Sequence, residues 1–155
     1  AFIRRERVTL PGQSKKKHSR ESRRHSAEVV TIQLFPSKKM GVIKISSADD
    51  FEKAIQGGQL VVVDFHATWC GPCKVIAPKL AKWSEEDRFK ETVKIISVDV
   101  DELEDLAGEQ GISAMPTFFF FRDGKKIDEL VGANHEKLLL MIEKHVDSPS
   151  QQQKS

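Results

Sequence analysis

The sequence predicts a single α/β domain with a mixed central β-sheet, element order βαβαβαββα and helices on both faces. Three observations carry this. Leu60 to Ala67 (LVVVDFHA) is a continuous apolar run of the kind found in strands buried on both faces of a sheet. Strand-like and helix-like segments alternate around it, which implies right-handed parallel crossovers. Asp123-Gly124 then separates two strand-like runs and makes the last two strands an antiparallel hairpin.

The elements follow in order. Val42 to Ile45 is a short strand. Ser47 can cap a helix whose Phe51, Ala54 and Ile55 share one face before Gly57 and Gly58 stop it. Leu60 to Ala67 is the buried strand. The helix that begins at the cysteines lines Cys73, Ile76, Ala77, Leu80 and Ala81 along one side, and Pro78 in its interior is expected to kink it. Val93 to Val98 is the next strand and Leu103 to Gln110 a short helix. Phe118 to Phe121 is a strand of four aromatic residues, read as core rather than ligand cleft, that turns into Lys126 to Val131. A closing helix starts at an Asn134 cap and presents Leu138, Met141, Ile142 and His145.

With 155 residues, 39% of them apolar, the chain can build one core and not two ordinary domains. No apolar run approaches the roughly 18 residues needed to cross a bilayer, so a transmembrane protein is excluded. The only cysteines, Cys70 and Cys73, could close only a tiny loop, which excludes a disulfide framework. The formal net charge of +2 hides a split: residues 1–41 carry 11 Lys or Arg against 3 Glu, leaving an acidic remainder. Residues 1–41 are therefore expected to be a basic, disordered N-terminal extension, with Val29 to Phe35 its one strand-like stretch. Residues 42–146 are the folded domain and 147–155 a flexible C-terminal tail. The basic cluster admits three readings: nuclear import or nucleic-acid contact, a mitochondrial presequence, or a non-native extension ahead of Met40 with no function.

Trp69-Cys70-Gly71-Pro72-Cys73-Lys74 lies where the buried strand ends and a helix begins. Free backbone N–H groups and the positive dipole end of a helix favour an anion, so Cys70 is the candidate nucleophile, held partly as thiolate. One turn later, Cys73 can attack the mixed disulfide formed at Cys70 and release the reduced partner, which makes it the resolving thiol. Gly71 lets a substrate backbone approach, and Pro72 fits the first helical turn. Zinc is disfavoured because there is no other cysteine and His66 is the only histidine near in sequence, so no metal site is expected.

Val61 to Lys74 (VVVDFHATWCGPCK), Met115-Pro116-Thr117 and Gly132-Ala133-Asn134 together resemble thioredoxin in its animal-type cytosolic form, over residues 42 to about 146. The resemblance implies a thioredoxin fold and a redox-active Cys70–Cys73 disulfide. It implies that Asp64 is the buried carboxylate that takes the proton of Cys73, and burial would raise its pKa. It implies that Pro116 is a cis-proline packed on the disulfide, and that Trp69 shields the site. With Gly71, Pro72, Ala114, Met115, Gly132 and Ala133, Trp69 would form a flat apolar docking surface, and Lys74 a supporting residue beside it.

Some residues depart from the family pattern. His66 stands where relatives commonly have Trp or Ser. It is either a partly buried histidine without a role or a group that titrates near neutrality and adjusts thiolate formation. Ser97 replaces the lysine that bacterial relatives place near the buried carboxylate. Asp99 and Asp101 either flank the docking surface through Trp69 or form a solvated strand terminus.

The leading functional reading is a thiol-disulfide oxidoreductase that reduces protein disulfides, binds no cofactor, and receives electrons from NADPH through thioredoxin reductase. The Gly71-Pro72 pair resembles the reducing members of the superfamily. The alternative is a redox-gated binding module using the same surface. By resemblance, the partners are thioredoxin reductase and disulfide-containing substrates such as peroxiredoxins, methionine sulfoxide reductase and ribonucleotide reductase. Neither a membrane nor nucleic acid is expected. The expected compartment is the cytoplasm, with the mitochondrial matrix or nucleus as alternatives if the basic extension targets the chain.

Overall fold

The computed structural model describes residues 41–148. The basic extension and most of the expected tail lie outside the described residues. The elements are β1 (Ile43–Lys44), α1 (Ala48–Ile55), β2 (Leu60–His66), α2 (Gly71–Glu85), β3 (Val93–Asp99), α3 (Glu104–Glu109), β4 (Thr117–Arg122), β5 (Lys125–Val131) and α4 (His135–Asp147). They form a five-stranded sheet in the order β1-β3-β2-β4-β5. β1, β3 and β2 run parallel, while β4 is antiparallel to β2 and β5 to β4. Asp123 and Gly124 make the hairpin with positive φ at both positions (51° and 73°), the geometry that matches a two-residue turn to the twist of its strands.

The continuous apolar strands are explained by alternation. Side chains of a strand point to opposite faces in turn, so β2 sends Leu60 and Val62 to one core and Val61, Val63 and Phe65 to the other. The four phenylalanines of β4 divide the same way. Phe118 and Phe120 join Ile76 and Leu80 of α2 and Leu138 and Ile142 of α4. Phe119 and Phe121 join Phe51 and Ile55 of α1 and Leu106 of α3, with edge contacts of Phe51 on Phe121 and Phe65 on Phe119. Each such buried ring is worth roughly 1.5–3 kcal/mol of apolar transfer, so these two layers supply much of the driving force. The alternation also places Asp64, an even-numbered residue of β2, on the α2 and α4 face.

Ser47 and Asn134 cap α1 and α4 as expected, accepting from the N–H groups of Asp50 and Lys137. The buried stripe of α2 differs from the sequence expectation. Ala77 and Ala81 do not join the buried stripe of α2; that stripe is Cys73, Ile76, Leu80, Trp83 and Ser84, because the helix is longer than the motif suggested and Trp83 carries its far end into the core. α2 remains one helix through Pro78, packed through Ile76 and Leu80 on either side of it. At the other end of the chain, α4 runs to Asp147, into the expected tail. The Arg122 guanidinium holds it there by donating to the carbonyls of His145 (2.6 Å) and Ser148 (3.2 Å).

Candidate active site

The site is built where β2 hands over to α2. Cys70 turns the chain, its N–H donating to the Ala67 carbonyl at 3.2 Å. It is also the N-cap of α2, and its Sγ accepts from the Cys73 N–H at 3.2 Å. A sulfur in that position receives both a backbone donor and the positive end of the helix, the environment that favours a thiolate. Cys70 and Cys73 are joined in a disulfide with their Cα atoms 5.3 Å apart, both largely buried with Ala67 beneath Met115 and Val100. Pro72 sits in the first turn of α2, where its missing N–H costs no helical bond. Gly71 is exposed and a Cβ there would meet nothing within 4 Å, so the space beside the disulfide is open to an incoming chain.

Trp69 is 66% exposed and is no part of the core. Its indole N–H donates to Asp101 Oδ2 at 2.8 Å, and the Asp101 N–H in turn donates to Asp99 Oδ1 at 2.9 Å. This decides between the two readings of the acidic strand end: Asp101 anchors the indole, and Asp99 is buried behind it. The Met115–Pro116 bond is cis and Pro116 is buried. Its carbonyl accepts from the Gly132 N–H at 2.8 Å, tying the two loops together, and the Thr117 hydroxyl donates to the Ala114 carbonyl at 2.7 Å within the first of them. Gly132 holds φ of +96°, which a side chain would strain. Val75 on α2 and Val131 at the end of β5 are also exposed apolar residues, 69% and 59%. Sequence reasoning missed both. Val131 borders Gly132 and was the readable one, since a valine ending an edge strand beside a motif has no core to enter.

Asp64 lies below. It is 4% exposed, paired in register with Ser97 of β3 and Phe118 of β4, and its Oδ1 has no hydrogen-bond partner. Burial alone pushes its carboxyl up to about 7. A cleft of about 420 Å³ opens under α2, lined among others by Asp64, His66, Cys73, Lys74, Ser97 and Ala77. It brings the carboxyl, the second cysteine and two of the departures from pattern, His66 and Ser97, to one place. Among the described residues no group of three or more His, Cys, Asp or Glu is placed to hold a metal ion.

Comparison with known proteins bears directly on this arrangement. Residues 42–144 match the family described as Thioredoxin. The chain belongs to the thioredoxin family. Thioredoxin-2 of Pyricularia oryzae is 51% identical over 104 residues, which span 67% of this chain and 59% of that protein's length. Thioredoxin of Callithrix jacchus is 47% identical over 107 residues, spanning 68% of this chain and 99% of the relative. The crystal structure of Malassezia sympodialis thioredoxin superposes with a TM-score of 0.64 at 48% identity, covering 68% of this chain and 92% of that one. Fungal and animal thioredoxins thus stand at similar identity. As a thioredoxin with its two cysteines in disulfide contact, the protein is a thiol-disulfide oxidoreductase that reduces protein disulfides, and the family needs no bound cofactor.

Proposed function

We propose that Cys70 is the attacking thiolate and Cys73 the resolving thiol, with Asp64 as the base that serves Cys73. The observation that carries this reading is the Cys73 N–H held on Cys70 Sγ at the start of α2, above an unpartnered carboxyl. Cys70 sulfur attacks one sulfur of a substrate disulfide, forming a mixed disulfide and releasing the first substrate thiolate. Cys73 passes its proton to Asp64 and attacks Cys70 Sγ, which expels the second substrate thiolate and closes the Cys70–Cys73 disulfide. Two electrons have moved from the dithiol to the substrate. An NADPH-dependent thioredoxin reductase returns them. Trp69, Gly71, Pro72, Ala114, Met115, Gly132 and Ala133 form the surface on which substrate docks, with Lys74 at its side.

The substrate proteins we propose are peroxiredoxins, methionine sulfoxide reductase and ribonucleotide reductase, in the cytoplasm. Support for the first comes from a similar solved structure, 36% identical with a TM-score of 0.60, that concerns thiol resolution of a yeast mitochondrial 1-Cys peroxiredoxin through the glutathione and thioredoxin systems.

The test is NADPH-coupled reduction of insulin disulfides with a thioredoxin reductase. Cys70→Ser is expected to reduce turnover to background, and Cys73→Ser to accumulate mixed disulfides on Cys70. Turnover that survives Cys70→Ser would overturn the assignment.

A further inference from the structure

Asp64 has no counter-charge bonded to it, yet the cleft it faces is also lined by an imidazole. His66 lies two residues further along β2, on the same face of the sheet and lining the same cleft. Two strand rises separate the residues by about 7 Å. The other cations of this face are otherwise placed. Lys44 of β1, in register with Ser97, has its ammonium on Glu102 at 2.7–2.8 Å. Lys74 of α2 is exposed at the cleft's rim. From β3, Ser97 offers only a hydroxyl, and Asp99 stands in register with His66, its Oδ1 occupied by the Asp101 N–H. A charged imidazole in this cleft would favour an ionised Asp64.

We propose that His66 is the positioning charge for the resolving step: by gaining and losing a proton beside Asp64, it sets the pH at which Asp64 can accept the proton of Cys73. The inference rests on Asp64 being the base for Cys73. When His66 is charged, its field favours the carboxylate and the base is ready at lower pH; when it is neutral that help is withdrawn. A unit charge lining the same cleft, two residues along the strand and screened as partly buried pairs are, moves a carboxyl by on the order of one pH unit. The two groups then titrate as a pair, so that the pH dependence of resolution belongs to both.

The test is stopped-flow oxidation of the reduced full chain by excess dithiobis(nitrobenzoate), which releases one chromophoric thiolate when Cys70 attacks and a second when Cys73 resolves. The rate of the second phase is followed against pH in the wild type, His66→Gln and His66→Lys, each checked for a native circular dichroism spectrum. We expect the rising limb to move up by about one pH unit in His66→Gln and down in His66→Lys, the neutral and permanently charged extremes. Either variant alone, if the other does not fold, tests its own direction. Limbs that superimpose, or that move the same way in both variants, would overturn the proposal. In an Asp64→Asn background the His66 shift is expected to vanish; a shift that persists there would mean His66 acts on the thiols directly and would also overturn it. A second phase untouched by Asp64→Asn alone would instead remove Asp64 as the base, a separate failure.

Discussion

Two carboxylates on the same face of the sheet are treated in opposite ways. Asp64 on β2 and Asp128 on β5 both point toward the helical layer of α2 and α4, through their register with Phe118 and Phe120 of β4. At the site end Asp64 has an oxygen with no partner, and burial raises its pKa to about 7. At the other, Asp128 accepts from its own neighbour, the Glu129 N–H, at 2.9 Å, and pairs with His145 Nε2 at 2.8 Å. Burial would raise that carboxyl, but these partners outweigh it and hold it below the ordinary range. A partnered carboxylate fastens α4 to the hairpin. An unpartnered one is kept able to exchange a proton, at a cost to the fold.

That contrast is open to measurement. The largest effect is expected at Asp64. Its neutral form is preferred in the folded state, so its contribution is fully present below pH 3.8 and is lost as pH rises toward 7. Asp64→Asn removes the loss, and the oxidised protein should gain on the order of 4 kcal/mol above pH 7 and nothing near pH 3. Denaturant unfolding at the two pH values decides it, and an equal gain at both would show that ionisation is not the cause.

Asp128 should behave with the opposite sign and less strongly. Its lowered pKa means that its stabilisation is present above the usual carboxylate range and fades as pH falls below it. Asp128→Ala is expected to cost about 1.5 kcal/mol at neutral pH, the low end for a hydrogen bond to a charged group because the carboxylate is partly open to solvent. Thermal melts of wild type and variant should converge below pH 3.

The smallest effect belongs to an ion pair in water. Lys44 and Glu102 are both more than half exposed. Lys44→Ala should shift the melting midpoint by no more than about 5 °C, because solvent and salt screen such pairs. A large shift would mean that the acidic loop carrying Asp101 depends on this contact, which a loss of Trp69 anchoring would reveal as a changed fluorescence spectrum.

Much of the architecture was legible because it is local. Alternation of apolar residues, the caps at Ser47 and Asn134, the Asp123-Gly124 turn and the strand-to-helix placement of the cysteines are all written within a few residues of where they act. Ala77 and Ala81 show where that method stops. Their spacing from Cys73 is helical and apolar, but α2 meets the sheet along Ile76, Leu80 and Trp83, and the alanines line the cleft. Asp99 and Asp101 could not be told apart by sequence either, since burial of one and the indole bond of the other depend on how β3 ends against Trp69.

The sequence by itself determined the order of elements, the face on which each strand residue falls and the chemistry available at Cys70 and Cys73, since these depend on residue type and short-range period. Only the tertiary structure decided which polar groups find partners. Asp128 meets His145 and Asp101 meets Trp69 across separations of 17 and 32 residues, while Asp64 Oδ1 meets none. Desolvation and pairing arise from what distant segments bring to the same point, and that is what separates a carboxylate that holds the fold from one able to serve its chemistry.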